Sequence, residues 1–136
     1  MPQALTETEA KREATHVLGD LQLAIMRVLW SRGEAAASEV HAALEEERGL
    51  APTTIATMLR KMENKGVVRH RAEGRRFLYI PTVSEPEVKR SMVGELTTML
   101  FRGNPAALVS HLIAEHEIDP DELAELQRVL AETEEA

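Results

Sequence analysis

The sequence contains no cysteine, which excludes disulfide bonds, thiolate nucleophiles and metal sites built from cysteine. Aromatic residues are nearly as scarce, with two Phe, one Trp and one Tyr, so a core must come from aliphatic side chains and methionine, a composition that favours helices. No apolar run approaches the roughly 20 residues of a membrane-spanning helix. A basic-then-apolar leader is absent from residues 1–20, so no secretory signal is predicted and a cytoplasmic location is expected.

The charges are unevenly spread along the 136 residues, which carry 16 basic and 23 acidic side chains and a net charge of −7. Residues 52–80 carry seven basic and two acidic groups, a net charge of +5, whereas residues 84–136 carry four basic and twelve acidic groups, a net charge of −8. An acidic protein with one basic segment can attract a polyanion locally. Clustering alone is equally compatible with a solvated surface that has no partner.

Apolar spacing predicts three short helices in the first half of the chain. The first is capped by Asp20 and the second by Ser38. The third covers residues 53–65 after Pro52 and ends at Gly66. The apolar positions recur at helical spacing: Leu21, Ile25, Val28 and Leu29 in the first helix, Val40, Ala43 and Leu44 in the second, and Ile55, Met58, Leu59 and Met62 in the third.

Two β-prone runs follow, residues 67–71 and 77–80, joined by a loop in which Gly74 supplies the positive φ that a hairpin often needs. Three helices followed by a hairpin are typical of a winged helix-turn-helix, in which the hairpin is the wing. We therefore predict a mostly α protein with a small two-stranded β-hairpin. Its predicted parts are a polar N-terminal tail (residues 1–16), a winged helix-turn-helix DNA-binding domain (residues 17–82) and a helical dimerisation region (residues 84–136).

Three amphipathic helices are predicted after Pro81, with caps at Ser84, Asn104 and Asp119. Helices this short seldom stand alone, and a separate core of this size is marginal. A second copy of the same segment is the expected partner, because helix-turn-helix heads commonly bind two-fold DNA sites; packing on the first domain is the alternative. The predicted dimerisation residues are apolar positions of these helices: Val88, Met92, Leu96, Leu100, Leu108, Leu112, Leu123, Leu126 and Leu130.

The third helix is predicted to enter the major groove of DNA, whose width admits a helix. Its threonines can donate to phosphates or base edges, Arg60 can fork onto guanine, and the wing arginines suit phosphate or minor-groove contact. Plainer explanations are capping for Thr53 and, for the wing arginines, protection of a sheet edge. The predicted DNA-binding residues are Pro52, Thr53, Thr54, Ala56, Thr57, Arg60, Lys61, Arg71, Arg75 and Arg76.

Several runs of the sequence resemble the penicillinase-repressor (BlaI/MecI) family. The most specific of them is Thr53-Thr54-Ile55-Ala56-Thr57-Met58-Leu59-Arg60 in the third helix. The similarity extends from about Val17 to Glu132. It is carried by the opening helix (residues 18–30), the second helix (residues 40–44), the third helix with its preceding turn (residues 50–66), the wing (residues 68–79) and the acidic last helix (residues 118–126).

The resemblance implies a homodimeric transcriptional repressor that binds inverted repeats in promoters through the winged head and dimerises through the C-terminal helices. It assigns base and phosphate contacts to Thr53, Thr54, Ala56, Thr57 and Arg60, and backbone contacts to the wing. In the β-lactam-responsive branch, a membrane sensor protease triggers cleavage at an Asn-Phe bond. This sequence has His111-Leu112 there, so the resemblance does not extend to that bond. The copper-responsive branch uses cysteine pairs, which this chain lacks.

An enzyme is not predicted, because the sequence has no phosphate-cradling glycine loop, nucleophile elbow or nucleotide fingerprint. His111, Glu115 and His116 are close together, but their spacing is not the His-Glu-x-x-His of a zinc protease. No metal or other cofactor is therefore predicted, and ligation by these three residues is left open. Two alternatives also stay open: a winged-helix protein–protein adaptor, and a repressor induced by a small ligand or metal bound in the C-terminal helices. The basic segment favours the DNA-binding repressor over the adaptor.

Overall fold

A computed structural model describes residues 17–135, and the predicted polar tail, residues 1–16, lies outside them. The described residues form two compact units that divide after Val93: residues 17–93, here called the head, and residues 94–135, the C-terminal unit. No helix in the described part of the chain is both long enough and apolar enough to cross a membrane. In chain order the elements are α1 (Asp20–Arg32), β1 (Ala35–Ala36), α2 (Ala37–Arg48), α3 (Pro52–Lys65), β2 (Val68–Glu73), β3 (Arg76–Pro81), α4 (Glu85–Phe101), α5 (Pro105–Ala114) and α6 (Pro120–Glu135).

The first two helices begin differently from the prediction. Asp20 and Ser38 are not caps, because each lies inside the first turn of its helix. In α2 the backbone N–H of Ala36 donates to Oε1 of Glu39 over 2.9 Å, and Gln22 accepts a backbone N–H in the same way at the start of α1. A long polar side chain at the third helical position therefore replaces a short capping side chain in front of the helix.

The third helix agrees with its prediction. Pro52 is its first residue, where the missing N–H costs nothing. Gly66 follows its last residue with φ of +89°, a left-handed conformation that glycine adopts without a steric penalty. The predicted inner face is buried at Ile55, Leu59 and Met62, so the opposite face of α3 is left on the surface.

The core of the head is formed by side chains from α1, α2, α3, the sheet and the start of α4. Trp30, the one tryptophan of the sequence, packs against this core, and its Nε1–H donates to the carbonyl of Val83 over 2.8 Å. That bond joins the end of α1 to the segment after the wing. The most deeply buried large side chains are Ile25, Met26, Leu29, Val40, Ile55, Leu59, Met62, Val67 and Val88.

The sheet has three antiparallel strands in the order β1-β3-β2, one more than predicted. β2 and β3 form the predicted hairpin, with His70 opposite Tyr79 and a tight turn at Gly74, whose φ is +61°. The strands extend further into the predicted loop than the sequence indicated. The sequence did not predict β1, because two alanines carry no strand pattern. The strand forms because Ala35 pairs with Tyr79 of β3.

The helices of the C-terminal unit begin at the predicted caps. Oδ1 of Asn104 accepts the backbone N–H of Ala106 over 3.0 Å. At the start of α6 the N–H of Glu122 donates to Oδ1 of Asp119 over 2.8 Å, and the N–H of Asp119 donates back to Oε1 of Glu122 over 3.2 Å. These capping bonds stabilise each helix locally. Apolar packing contributes little to the stability of these helices, because no apolar side chain in residues 94–134 is buried.

Candidate nucleic-acid interface

The exposed face of α3 contains most of the predicted DNA contacts. Pro52, Thr53, Thr54, Thr57, Arg60 and Lys61 are all exposed, and Ala56 is half-buried. The buried residues of the same helix alternate with them at helical spacing, so the core fixes which face is presented. The threonines occupy the first two turns, and the two cations follow in the next turn.

Polar contacts with α1 and the segment before it hold α3 in place. Nζ of Lys65 donates to the carbonyl of Val17 over 2.5 Å and lies 3.4 Å from Oε1 of Gln22. Nε2 of Gln22 contacts Sδ of Met58 at 3.4 Å. The ammonium group of Lys65 is therefore engaged within the head, although the sequence counts it in the basic segment.

Arg71, a predicted contact of the wing, is occupied by carboxylates. Its Nη2 lies 2.6 Å from Oε1 of Glu34 and its Nε lies 3.0 Å from Oε2 of the same side chain, a two-bond fork of the kind that arginine makes with carboxylates. Nη2 is also 3.4 Å from Oε2 of Glu73. The hydrogen bond from Arg71 lowers the pKa of Glu34, and the same bond raises the pKa of Arg71, so both groups stay charged near neutral pH.

The other cations of the basic segment fall into two classes. Arg76 is paired, with Nη1 3.5 Å from Oε1 of Glu39. Arg60, Lys61, Arg69 and Arg75 make no hydrogen bond or ion pair with any residue that the structure describes. The free cations relevant to the prediction are therefore two on α3 and one at the wing turn.

A groove of about 570 Å³ lies between α3 and the wing. The groove is spanned by a bond between Nδ1 of His70 and Oε2 of Glu63 at 2.5 Å, and the ring of Phe77 lies 4.4 Å from that of His70. Phe77 is 52% exposed, and Arg60 and Arg76 also line the groove. Arg60 and Arg76 were predicted site residues, whereas sequence reasoning missed Glu63, His70 and Phe77. The alternation along the wing places His70 and Tyr79 on one sheet face, but only the fold brings Glu63 to them.

The nine predicted dimerisation residues lie in different surroundings. Val88 is 1% exposed in the core of the head, and Met92 packs against that core, so Val88 has no surface left for a partner. The leucines at positions 96, 100, 126 and 130 are exposed, and those at positions 108, 112 and 123 are half-buried. Further large apolar side chains are also exposed in this unit: Met99, Val109, Ile113 and Val129.

Ligation of a metal by His111, Glu115 and His116 was left open by the sequence. No group of three or more His, Asp and Glu side chains suited to a metal is present in the part of the chain that the structure describes. The ring of His111 instead lies 5.7 Å from that of Phe101. His111 and Leu112 are both inside α5.

Comparisons with known proteins point to one family. The family model described as "Penicillinase repressor" matches residues 18–132. The chain is 36% identical to the transcriptional regulator BlaI of Mycobacterium tuberculosis over 119 residues, covering 86% of this chain and 85% of that protein. It is 27% identical over 115 residues to the penicillinase repressor of Bacillus licheniformis, covering 85% and 90%. A solution structure of Bacillus licheniformis BlaI in monomeric form with the blaP half-operator is 34% identical, covers 52% of this chain and 87% of that one, and has a TM-score of 0.46.

Proposed function

The chain belongs to the penicillinase repressor family, whose members are transcriptional repressors and not enzymes, and we propose that it is a homodimeric repressor that binds inverted-repeat operators. In this proposal α3 enters the major groove and the wing contacts the DNA backbone. Binding to promoter DNA would place the protein in the cytoplasm. The proposal has two parts, DNA reading by the head and pairing of two C-terminal units.

The observation that carries the first part is the exposed face of α3. Short hydroxyl side chains occupy its first turns, and the unpaired cations Arg60 and Lys61 follow. A major groove about 12 Å wide accepts a helix, and small side chains near the helix start let it approach the base edges closely. Uncompensated positive charge on the same face supplies the attraction to phosphates that all DNA binding requires.

The predicted contacts divide by chemistry. Thr53, Thr54 and Thr57 suit base edges or phosphates, because a hydroxyl donates to either and the threonine methyl packs on the thymine methyl. Arg60 suits two acceptors of one guanine. The remaining predicted contacts, with the sugar-phosphate backbone, come from Pro52, Ala56 and Lys61 on α3 and from Arg75 and Arg76 on the wing. Arg71 is also a predicted contact, but Glu34 holds its guanidinium.

Exposed apolar surface supports the second part, dimerisation. Leu100 and Leu130 are 66% and 59% exposed, and Leu96, Met99, Val109, Ile113, Leu126 and Val129 are exposed as well. Large exposed apolar surfaces commonly mark interaction sites. A second copy presents the same surface, so one two-fold axis covers both. The interface that we propose uses the predicted leucines of α4, α5 and α6 and omits Val88; the part of Met92, which belongs to the head, stays a prediction.

A two-fold dimer also predicts the symmetry of the operator. Two identical heads related by a two-fold axis read the same bases on opposite strands, so the preferred site is an inverted repeat with half-sites one helical turn or a multiple of it apart. A membrane sensor protease is left open as a partner, because the Asn-Phe bond cleaved in the β-lactam-responsive branch is His111-Leu112 here. His111-Leu112 is inside α5, so a protease that needs an extended substrate must first open that helix.

Selection of random duplex DNA on the purified full chain, at two salt concentrations, tests the function. Enrichment of one inverted repeat at both concentrations is the expected result, and its half-site spacing gives the dimer geometry. Weak binding that disappears at the higher salt, with no enriched motif, means electrostatic attraction alone. That result would overturn the proposal in favour of the adaptor.

A further inference from the structure

The wing is less positive than its sequence indicates, because the fold brings carboxylates to it from outside the basic segment. Glu34 precedes β1, and Glu39 lies in the first turn of α2. β1 pairs with β3, which places both carboxylates within reach of the wing arginines. Glu34 reaches Arg71 and Glu39 reaches Arg76, each across 37 positions of sequence.

The pairing of Glu34 with Arg71 is the closest of these contacts. Two hydrogen bonds of 2.6 Å and 3.0 Å use two nitrogens of the guanidinium and both oxygens of the carboxylate. A third nitrogen–oxygen contact, 3.4 Å to Glu73, uses Nη2 again. Arg71 thus faces two negative charges with its one positive charge.

A phosphate that approaches Arg71 meets the two carboxylates already in contact with its guanidinium, Glu34 and Glu73. It must displace Glu34 from the guanidinium or lie beside the carboxylate, and either arrangement costs free energy that an unpaired arginine does not require. Arg75 and Arg60 carry no such cost, because they make no ion pair within the described residues. The cations that bind phosphates most readily are therefore at the wing turn and on α3.

We propose that Glu34 limits the DNA affinity of the head by holding Arg71 away from the phosphates. The inference rests on the DNA binding proposed above and adds a residue that acts through another, because Glu34 holds the guanidinium of Arg71. Removing the charge of Glu34 takes away the closer of the two carboxylates on Arg71 and frees that arginine for a phosphate.

Salt dependence of binding measures this release directly. The full chain and its Glu34→Gln variant are titrated with the selected operator duplex and with a scrambled duplex over a series of salt concentrations. Each phosphate neutralised adds about 0.9 to the slope of log affinity against log salt. We expect Glu34→Gln to bind both duplexes more tightly and to steepen the slope by about 0.9 per head. The gain in affinity over the unchanged protein should then be roughly threefold larger at 50 mM than at 200 mM salt.

Glu46→Gln is the matched control. Glu46 is exposed on α2 and makes no hydrogen bond or ion pair with the described residues, so its substitution removes the same charge and frees no arginine. Its slope should equal that of the unchanged protein. The double variant Glu34→Gln/Arg71→Gln should lose the added slope, because the arginine that supplies it is gone. Glu34→Ala should steepen the slope as Glu34→Gln does, since neither side chain carries a charge.

Each outcome decides between the proposals. The proposed role of Glu34 is wrong if Glu34→Gln and Glu34→Ala bind like Glu46→Gln. It is also wrong if the added slope survives removal of Arg71, and in both cases the repressor function stands. If the unchanged protein binds neither duplex, the repressor function itself fails. Melting temperatures of all variants are measured in parallel, and a folded Glu34→Ala suffices if Glu34→Gln does not fold.

Discussion

The head and the C-terminal unit are both built mainly from short amphipathic helices, but they use their apolar residues in opposite ways. In the head the apolar faces of α1, α2 and α3 meet one another and the sheet, and nine large side chains are almost completely buried. In residues 94–134 no apolar side chain is buried. Hydrophobic burial is the main favourable term in folding, so the head contains its own stabilisation. Within the C-terminal unit, Leu108, Leu112 and Leu123 are only half-buried, and the unit gains more burial if another surface covers its leucines.

A matched pair of leucine substitutions should separate the two units most clearly. Leu59→Ala opens a cavity in the head and should lower its free energy of unfolding by about 2–5 kcal/mol. Leu130→Ala removes the same atoms from an exposed side chain. We expect the effect of Leu59→Ala to be independent of protein concentration and that of Leu130→Ala to vary with it, because only the second acts through association. Denaturant titrations at two protein concentrations check this, and a concentration-independent loss in both variants would contradict it.

A charge on the exposed apolar face should dissociate the dimer. Leu130→Glu places a carboxylate where the proposed interface excludes water, at a cost of several kcal/mol. Sedimentation should show a monomer with a folded head, and operator binding should weaken together with dimerisation. Gln127→Glu is the control, because it adds the same charge on α6 at an exposed polar position. Unchanged sedimentation of Leu130→Glu would remove α6 from the interface.

Arg60→Ala should weaken DNA binding by the head without any effect on the C-terminal unit. The side chain is exposed and unpaired in the described structure, so dimerisation and stability should stay the same. If Arg60 reads a base, operator affinity should fall by about 1–3 kcal/mol while affinity for scrambled DNA changes little. Fluorescence anisotropy with both duplexes measures the two values, and an equal fall in both would identify a phosphate contact instead.

The smallest expected effect is on the acid stability of the head. The hydrogen bond and charge of Arg48 lower the pKa of Asp20. The pair therefore stabilises the folded head above the ordinary aspartate pKa of about 3.9, and this contribution is lost as the pH falls through the lower value of the folded state. Asp20→Asn should be slightly less stable than the unchanged protein at pH 7, and the difference should shrink as the pH falls below the ordinary aspartate pKa. Thermal unfolding over a series of acidic pH values tests it, and a difference that does not shrink would exclude the pair as its cause.

Local signals predicted much of the fold because proline, glycine and capping residues act within a few positions of the helix ends. Pro52 and Gly66 bound α3, and Asn104 and Asp119 begin α5 and α6 as expected. The family resemblance is confirmed by the family model over residues 18–132. The individual DNA-binding and dimerisation residues stay predictions until binding is measured.

What sequence reasoning missed depends on contacts between distant residues. β1 exists only because Ala35 pairs with Tyr79. Summing charge over residues 52–80 counted Arg71 as free, although Glu34 lies beside it in space. An amphipathic pattern also does not indicate which surface its apolar face packs against. Val88 was therefore grouped with the leucines of the C-terminal unit, although it is buried in the head.

Trp30 gives the molecule a built-in optical label. It is the one tryptophan in the sequence, it is half-buried in the head, and its indole donates a hydrogen bond to Val83. The emission of indole shifts to longer wavelength when it enters water, so intrinsic fluorescence follows opening of the head and is silent for the C-terminal unit. Circular dichroism reports the helices of both units. Recorded on the same sample, the two spectra resolve whether the halves of this protein melt together or in succession.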